Sequence, residues 1–494
     1  MNATAKLEIW ALAAALSLGV LGDGLLRCFP WGVNFALWAG LLGVAVFFLG
    51  RERRQVFAEG GGWLLLPLAL APLAFLWHAS PPLKALNLLA LLTALSLAML
   101  RACGGRLRMA SLVQYAVGSL LAGLNAAFGM FPLLLRDREW TNGFGWVHAR
   151  KSVAVLFGLA LALPPLLVFG GLFMGADAVF RSLVVRFVRA VPSHLVVAVF
   201  ITYCVAGYLR GLLFGKERKL GTEKRLLPIS LGAIETGVML GLLDLLFLVF
   251  VGVQVRYFFG GSALVQATTG LTYAEYARRG FFELVAVAAL VLPLLLFVHW
   301  LLRPDDAPGQ RMFQWLAGIE IALLFVIMGS AFERMRLYQA EYGLSEQRLY
   351  PTAFMGWLAV VFVWFCLTVL RGHRNRFAFG AMVAGFLLIA ALHALDPDAL
   401  IARTNLARAR AGHIFDARYA SRLSADAVPE LVAGLPSLNP QDRCTLATRL
   451  LDRWSPPEES DWRSWTYAGS QARQAISANA PALRAACGET KRGD

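Results

Sequence analysis

The chain has 494 residues, of which 58% are hydrophobic and 16% are charged, and its mean hydropathy is +0.61. These values exclude an ordinary soluble globular protein of this length, so the long apolar stretches are expected to face lipid. The formal net charge of +15 fits the basic loops that membrane insertion retains, and it does not by itself indicate nucleic-acid binding.

Twelve apolar windows recur along the chain, and a membrane-crossing helix needs about 20 apolar residues. In chain order they are Ala11 to Leu26, Val33 to Leu49, Trp63 to Trp77, Leu86 to Leu100, Leu112 to Leu135, Val153 to Met174, Leu195 to Phe214, Leu231 to Val253, Phe281 to Leu302, Phe313 to Ile327, Phe354 to Leu370 and Phe377 to Leu395. The predicted fold class is therefore all-α: a polytopic transmembrane helix bundle with a small helical extramembrane C-terminal domain.

The distribution of lysine and arginine predicts the orientation of the chain. If all twelve windows cross the membrane, the basic residues divide almost evenly between its two sides, whereas cytoplasmic loops should be enriched in them. Residues 111–135 carry a weakly polar face typical of an interfacial or re-entrant helix. If residues 111–135 do not cross the membrane, the excess of lysine and arginine falls on the same side of the membrane as the N-terminus. We expect about eleven spans in a bacterial inner membrane, with twelve as the alternative, a cytoplasmic N-terminus and a periplasmic tail.

This topology divides the chain into four regions. Residues 1–110 form an N-terminal membrane region of four helices, and 111–151 form the interfacial or re-entrant helix with a cytoplasmic loop. Residues 152–396 are the core membrane bundle. Residues 397–494, where hydropathy falls and charged residues return, are a soluble helical tail.

The stretch "LTYAEYARRGFFEL", residues 271–284, concentrates charged and tyrosine side chains immediately before an apolar run. Thr272 and Glu275 are spaced as a capping box, which favours an ordinary capped helix entering the membrane from outside. The alternative is an external site for an anionic lipid head group or another envelope ligand, bound by the paired arginines. The candidate residues are Tyr273, Glu275, Tyr276, Arg278, Arg279 and Glu283.

The same stretch also carries a family resemblance. Together with "GADAVF" (175–180), "DPDALIARTN" (396–405) and "LSADAVPEL" (423–431), it resembles the bacterial multi-pass membrane proteins of the domain of unknown function 4153/4173 type. The resemblance extends over roughly residues 150 to 435. It implies a membrane topology and supplies no catalytic residues.

Two acidic residues lie deep inside predicted spans, where ionisable groups are costly and often functional. Asp244 shares a helical stripe with Gly237 and Gly241, a pair that permits close helix packing, so its side chain is expected to face protein. Glu320 lies a third to a half of the way through its own span. Either residue could be structural, or both could belong to an intramembrane relay for protons or cations.

The tail offers two further predictions. Asp396 can cap a helix that has Pro397 at its first position, which we favour over a divalent-ion site formed with Asp398. Cys444 and Cys487 are candidates for a disulfide in an oxidising compartment, although two buried thiols would give the same sequence.

The sequence contains no recognised phosphate-binding loop, zinc-protease motif or nucleophile elbow. We therefore predict no catalytic residues, no metal site and no cofactor. The expected partner is membrane lipid, with no nucleic acid and with protein partners undetermined. The function expected is envelope transport or membrane scaffolding. A sensor that signals through the exported tail is the alternative, and an intramembrane enzyme acting on lipid or an envelope precursor comes third.

Overall fold

The structure is a computed structural model of the chain. It describes residues 3–52, 56–57, 61–130, 169, 171–177, 179–182, 193–214, 230–269, 280–303, 305–455 and 461–487. Within these ranges the secondary structure is helical, and the β interactions amount to one isolated bridge between Leu231 and Leu302.

The principal helices of the described residues fall into two sets, the first of which precedes the tail. They are α1 (Ala3–Leu26), α2 (Val33–Glu52), α3 (Leu65–Trp77), α4 (Pro81–Ala102), α5 (Leu112–Phe128), α6 (Ser193–Phe214), α7 (Ala233–Thr269), α8 (Phe281–Leu301), α9 (Ala307–Tyr342), α10 (Glu346–Thr368) and α11 (Phe377–Leu395). The tail contains α12 (Pro397–Arg410), α13 (Ala417–Ala420), α14 (Val428–Gly434), α15 (Pro440–Trp454) and α16 (Tyr467–Ala485).

Nine helices in the described part of the chain are long and apolar enough to cross a membrane, namely α1, α2, α4 and α6 to α11. Large hydrophobic side chains such as Leu246 and Leu290 point out of the protein from these helices, as lipid-facing side chains do. A helix satisfies its own backbone hydrogen bonds, which is why it can cross the apolar core. The predicted all-α, multi-pass membrane fold is confirmed.

Two predicted windows form helices shorter than a span, α3 with 13 residues and α5 with 17. α5 begins with a capping box in which the Ser111 hydroxyl accepts from the Gln114 N–H and the Gln114 side chain accepts from the Ser111 N–H. At its far end, Gly129 and Gly207 let the backbone contact α6. Because residues 131–135 are outside the described ranges, the interfacial or re-entrant role of the 111–135 segment stays a prediction.

The first of two compact units comprises residues 1–77, 84–220 and 459–467. Its core is built on the packing of α1 against α6. A Cβ at Gly19 would collide with Thr202, so the absence of a side chain at Gly19 is what allows these two helices to approach closely.

The second unit comprises residues 78–83, 221–458 and 468–494. Helices α7 to α11 bury an apolar core that includes the phenyl rings of Phe281 and Phe362. In a bilayer, the alternative to these helix contacts is contact with lipid and not with water. Close packing rather than hydrophobic burial is therefore expected to hold the helices together.

The tail has its own apolar core within this second unit, with Ile401, Leu446 and Ile476 fully buried. Around this core lie the short helix α14 and the longer α15, which begins at Pro440 and ends at Trp454. The predicted capping of α12 by Asp396 is confirmed as well.

Polar contacts attach the tail to the membrane helices of the second unit. Asn405 Nδ2 donates to the Leu344 carbonyl at 2.9 Å, and Asn405 Oδ1 accepts from the Leu344 N–H at 2.8 Å. The Tyr419 hydroxyl accepts from the Glu346 N–H at 2.9 Å. Arg408 adds hydrogen bonds to backbone carbonyls in the last turn of α9. The tail therefore contacts both ends of the turn between α9 and α10.

Candidate functional site

Most of the tyrosine- and arginine-rich motif lies outside the described residues, which resume at position 280. The candidates Tyr273, Glu275, Tyr276, Arg278 and Arg279 therefore remain predictions. Glu283 is described, and it is an exposed acid in the first turn of α8. Gly280 caps this helix with φ at +89°, a conformation that strains any residue with a side chain.

The two intramembrane acids predicted from the sequence face one another. Asp244 on α7 is 8% exposed and Glu320 on α9 is fully buried, and each carboxyl group lies within hydrogen-bonding reach of the other. Leu240, Ile321 and Leu324, which lie within about one turn of these acids along α7 and α9, are apolar and buried. Both acids therefore point into protein.

The hydrogen-bonding capacity of the two carboxyl groups determines how this pair can interact. Among the described groups, the oxygens of Asp244 and Glu320 have no hydrogen-bond donor. Two ionised carboxylates are acceptors only and repel each other, whereas a protonated carboxyl donates one hydrogen bond. The pair can therefore form a hydrogen bond only by sharing a proton.

The glycine stripe expected to bring helices together beside Asp244 does not do so. A Cβ at Gly241 would meet no atom within 4 Å, and one at Gly237 would meet only Met312, in ordinary contact at 3.7 Å. Near Asp244, α7 and α9 therefore contact each other through side chains, among them those of the two acids.

A second polar group on the same two helices was not predicted. Gln254 Oε1 accepts from Arg334 Nη2 at 2.6 Å and from the Ser330 hydroxyl at 3.2 Å. The group lies beyond the apolar windows because α7 and α9 run for 37 and 36 residues, past the predicted ends at Val253 and Ile327. Hydropathy falls at those points while helix formation continues.

The structure joins Cys444 in α15 to Cys487, just after α16, by a disulfide, across a sequence separation of 43 residues. These are the two cysteines of the tail that the sequence marks as a candidate pair. The four other cysteines form no disulfide.

A buried cluster at the junction of the tail and the membrane helices was missed by the sequence analysis. His78 lies between α3 and α4, and its Nδ1 is 2.6 Å from Asp426 Oδ1 and 4.0 Å from Asp396 Oδ1. The second oxygen of Asp426 accepts from the Ala79 N–H and from the Ser424 hydroxyl, each at 2.8 Å. Three segments distant in sequence thus meet at one imidazole.

Asp396 and Asp398 have different positions at this junction. Asp396 caps α12 as predicted, because its side chain accepts a hydrogen bond from the Ala399 N–H. Pro397 occupies the first position of the helix. Asp398 is fully buried, and its Oδ2 accepts from the Ser424 N–H at 3.1 Å. Among the described groups, Asp398 Oδ1 has no hydrogen-bond partner.

Electrostatics favour an ion pair between His78 and Asp426. Burial alone would lower the pKa of His78, but the hydrogen bond to Asp426 and the charges of Asp426 and Asp396 outweigh it and raise that pKa. Burial alone would raise the pKa of Asp426, but the bond and charge of His78 lower it. Stability from this pair is therefore lost as pH rises through the raised pKa of His78 or falls through the lowered pKa of Asp426.

The other two carboxyl groups of the junction behave differently. Burial raises the pKa of both Asp396 and Asp398, and the charge of Asp426 adds to the effect. His78, Asp396 and Asp426 each offer one ligand atom, and these three atoms lie within 4.8 Å of one another. This is the one arrangement in the described residues that could hold a metal ion.

A family model described as "Domain of unknown function (DUF4153)" matches residues 65–434. The matched region contains both the carboxyl pair and the histidine–aspartate cluster, whereas the Cys444–Cys487 disulfide lies beyond it. Comparisons with curated proteins and with solved structures found no match.

Proposed function

The chain belongs to the DUF4153 family, as its motifs predicted, and we propose that it is a bacterial inner-membrane transport protein that moves protons through the Asp244–Glu320 carboxyl pair. The observation that carries this proposal is the contact of these two acids across α7 and α9, inside an apolar core.

The depth of the pair supports a role in the membrane. At 1.5 Å per residue, Asp244 lies about 17 Å from the start of α7 and Glu320 about 20 Å from the start of α9. The hydrocarbon core is about 30 Å thick, so both acids lie near its middle. An ionisable residue there costs about 2.5 kcal/mol or more on insertion, which makes two facing acids an expensive way to join helices. A proton relay would explain why the protein carries two acids at this depth.

A proton is the ion that best suits this site. Small metal cations need several oxygen ligands, whereas the buried neighbours one turn from the pair on α7 and α9 are apolar. A shared proton needs only the two carboxyl groups. Proton transfer to and from the pair would couple substrate movement to the proton gradient.

Two features support the proposed sidedness, with a cytoplasmic N-terminus and a periplasmic tail. The lysine and arginine pattern of the sequence favours that orientation when residues 111–135 do not cross. The Cys444–Cys487 disulfide suits an oxidising compartment, and disulfides are rare in the cytosol.

Proton flux into proteoliposomes tests the relay. The purified full chain is reconstituted with a pH-sensitive dye inside, and a potassium diffusion potential drives protons inward. We expect the wild type to acidify the lumen faster than protein-free liposomes do, and Asp244→Asn and Glu320→Gln to reduce the rate to the protein-free level. Glu333→Gln is the matched control, because Glu333 lies on the same helix but is partly exposed and paired with Arg336 at 3.3 Å. A wild-type rate equal to that of empty liposomes, or full flux in both pair variants, overturns the relay.

Sensing through the tail is the second candidate, and a specific contact favours it. α9 carries Glu320 near the membrane centre and reaches the tail about 33 Å further on, where Arg408 binds carbonyls of its last turn. A change at the acid pair could therefore reach the tail along one helix. If the tail carries the function, a chain ending at residue 396 should insert into the membrane but fail to complement a deletion strain; complementation by that chain rejects the sensor.

A further inference from the structure

We propose that His78, Asp396 and Asp426 form a binding site for a divalent transition-metal ion of the zinc class, which joins the tail to the membrane helices. The proposal concerns a different site from the carboxyl pair and does not depend on the proposed transport activity.

The first argument is the donor set. The three ligand atoms lie within 4.8 Å of one another, and they combine one imidazole nitrogen with two carboxylate oxygens. Imidazole suits zinc and its neighbours, whereas calcium and magnesium prefer oxygen ligands alone. The chemistry therefore selects a transition metal.

The second argument is the spacing. Zinc bonds of about 2.0–2.1 Å in a tetrahedral site separate neighbouring ligand atoms by about 3.3 Å. His78 Nδ1 lies 2.6 Å from Asp426 Oδ1 and 4.0 Å from Asp396 Oδ1. Moving one pair apart and the other together by about 0.7 Å brings both nitrogen–oxygen distances to this value, and the proton of the His78–Asp426 hydrogen bond is then released to solvent.

The third argument is the arrangement around the ligands. Asp426 Oδ2 already accepts from the Ala79 N–H and the Ser424 hydroxyl, which fixes the carboxylate and leaves Oδ1 for a metal. Such outer hydrogen bonds are typical of protein metal sites.

One unsatisfied atom next to the cluster distinguishes it from a completed ion pair. Asp398 is fully buried next to Ser424, with Oδ1 unbonded among the described groups. Buried polar atoms are rarely left unsatisfied, and a water carried by a bound ion would supply a partner for Asp398 Oδ1.

The surroundings also allow access. The Asp396 side chain is 31% exposed, while those of His78 and Asp426 are nearly inaccessible. An ion can therefore arrive from solvent past Asp396 and settle between the buried pair. Because the ligands come from the turn before α4, the cap of α12 and the tail, the bound ion would hold three segments together.

Calorimetric zinc titration of the purified full chain in detergent tests the site. The protein is first treated with a chelator, and its free thiols are alkylated so that cysteine cannot bind the metal. We expect one zinc per chain, and affinity at least about tenfold weaker in Asp426→Asn and in Asp396→Asn. Asp396→Asn is the more informative variant, because asparagine can still cap α12 but lacks the negative charge that makes a carboxylate a strong metal ligand, and the buried pair is untouched.

Asp416→Asn is the matched control, since Asp416 also caps a tail helix through Oδ1, with the Tyr419 N–H as donor, but is exposed and outside the cluster. It should bind zinc as the wild type does. Cobalt substitution should give a tetrahedral spectrum without a thiolate band. The proposal is overturned if the wild type binds no stoichiometric zinc, if Asp396→Asn binds it unchanged, or if calcium or magnesium competes at equal concentration.

Discussion

Replacing Asn405 by alanine should loosen the whole tail and not only the turn it touches. The side chain makes two hydrogen bonds to Leu344, one to the N–H at 2.8 Å and one to the carbonyl at 2.9 Å. Leu344 is buried, and each buried polar group left unpaired costs about 1–3 kcal/mol. Allowing for partial access of water at Asn405, we expect docking to weaken by about 2–4 kcal/mol.

Hydrogen exchange at a remote contact provides the assay. The Glu346 N–H donates to the Tyr419 hydroxyl, which the substitution does not alter. If the tail undocks as a unit, exchange at Glu346 should become about 30 to 900 times faster, since 1.36 kcal/mol corresponds to tenfold. Asn479→Ala is the control, because Asn479 is exposed and bonds only within its own helix. Unchanged exchange at Glu346 in Asn405→Ala would refute the view that the tail docks cooperatively.

Three further predictions concern the tail and the sidedness of the chain. Cys444→Ser should destabilise the tail by about 4 kcal/mol, since the disulfide spans 43 residues, and protease susceptibility under non-reducing conditions measures the loss; unchanged susceptibility would show that the bond does not support the fold. Leu446→Ala should cost about 2–5 kcal/mol because the side chain is fully buried, which denaturant unfolding followed by tail fluorescence will check; a cost below 1 kcal/mol would contradict the packing. With the four free cysteines removed, Asn479→Cys should react with a membrane-impermeant maleimide in spheroplasts while Glu52→Cys stays protected; the reverse pattern would invert the proposed topology.

The sequence predicted the helical membrane fold because a bilayer admits few alternatives to apolar helices. It underestimated the length of two helices, since the apolar windows that end at Val253 and Ile327 stop before the helices that contain them. Hydropathy indicates which part of a helix faces lipid, whereas the hydrogen bonds of the helix backbone continue beyond that part. Helix ends were therefore less predictable than helix existence.

Individual site residues were predictable to different degrees. Asp244 and Glu320 stood out because an acid in an apolar run is visible in the letters, but their contact depends on how α7 and α9 rotate and cross. His78 and Asp426 are 348 residues apart and share no motif, so only the fold brings them together. Sequence patterns reveal unusual residues more readily than they reveal their partners.

The shared proton between Asp244 and Glu320 is the central physical claim, and infrared spectroscopy of the reconstituted protein at neutral pH tests it most directly. The difference spectrum between the wild type and a variant that carries both Asp244→Asn and Glu320→Gln should contain the carbonyl band of a protonated carboxylic acid in a dry environment, and the difference spectrum between the wild type and Glu333→Gln should lack it. A difference spectrum between the wild type and the double variant that lacks this band would contradict the account.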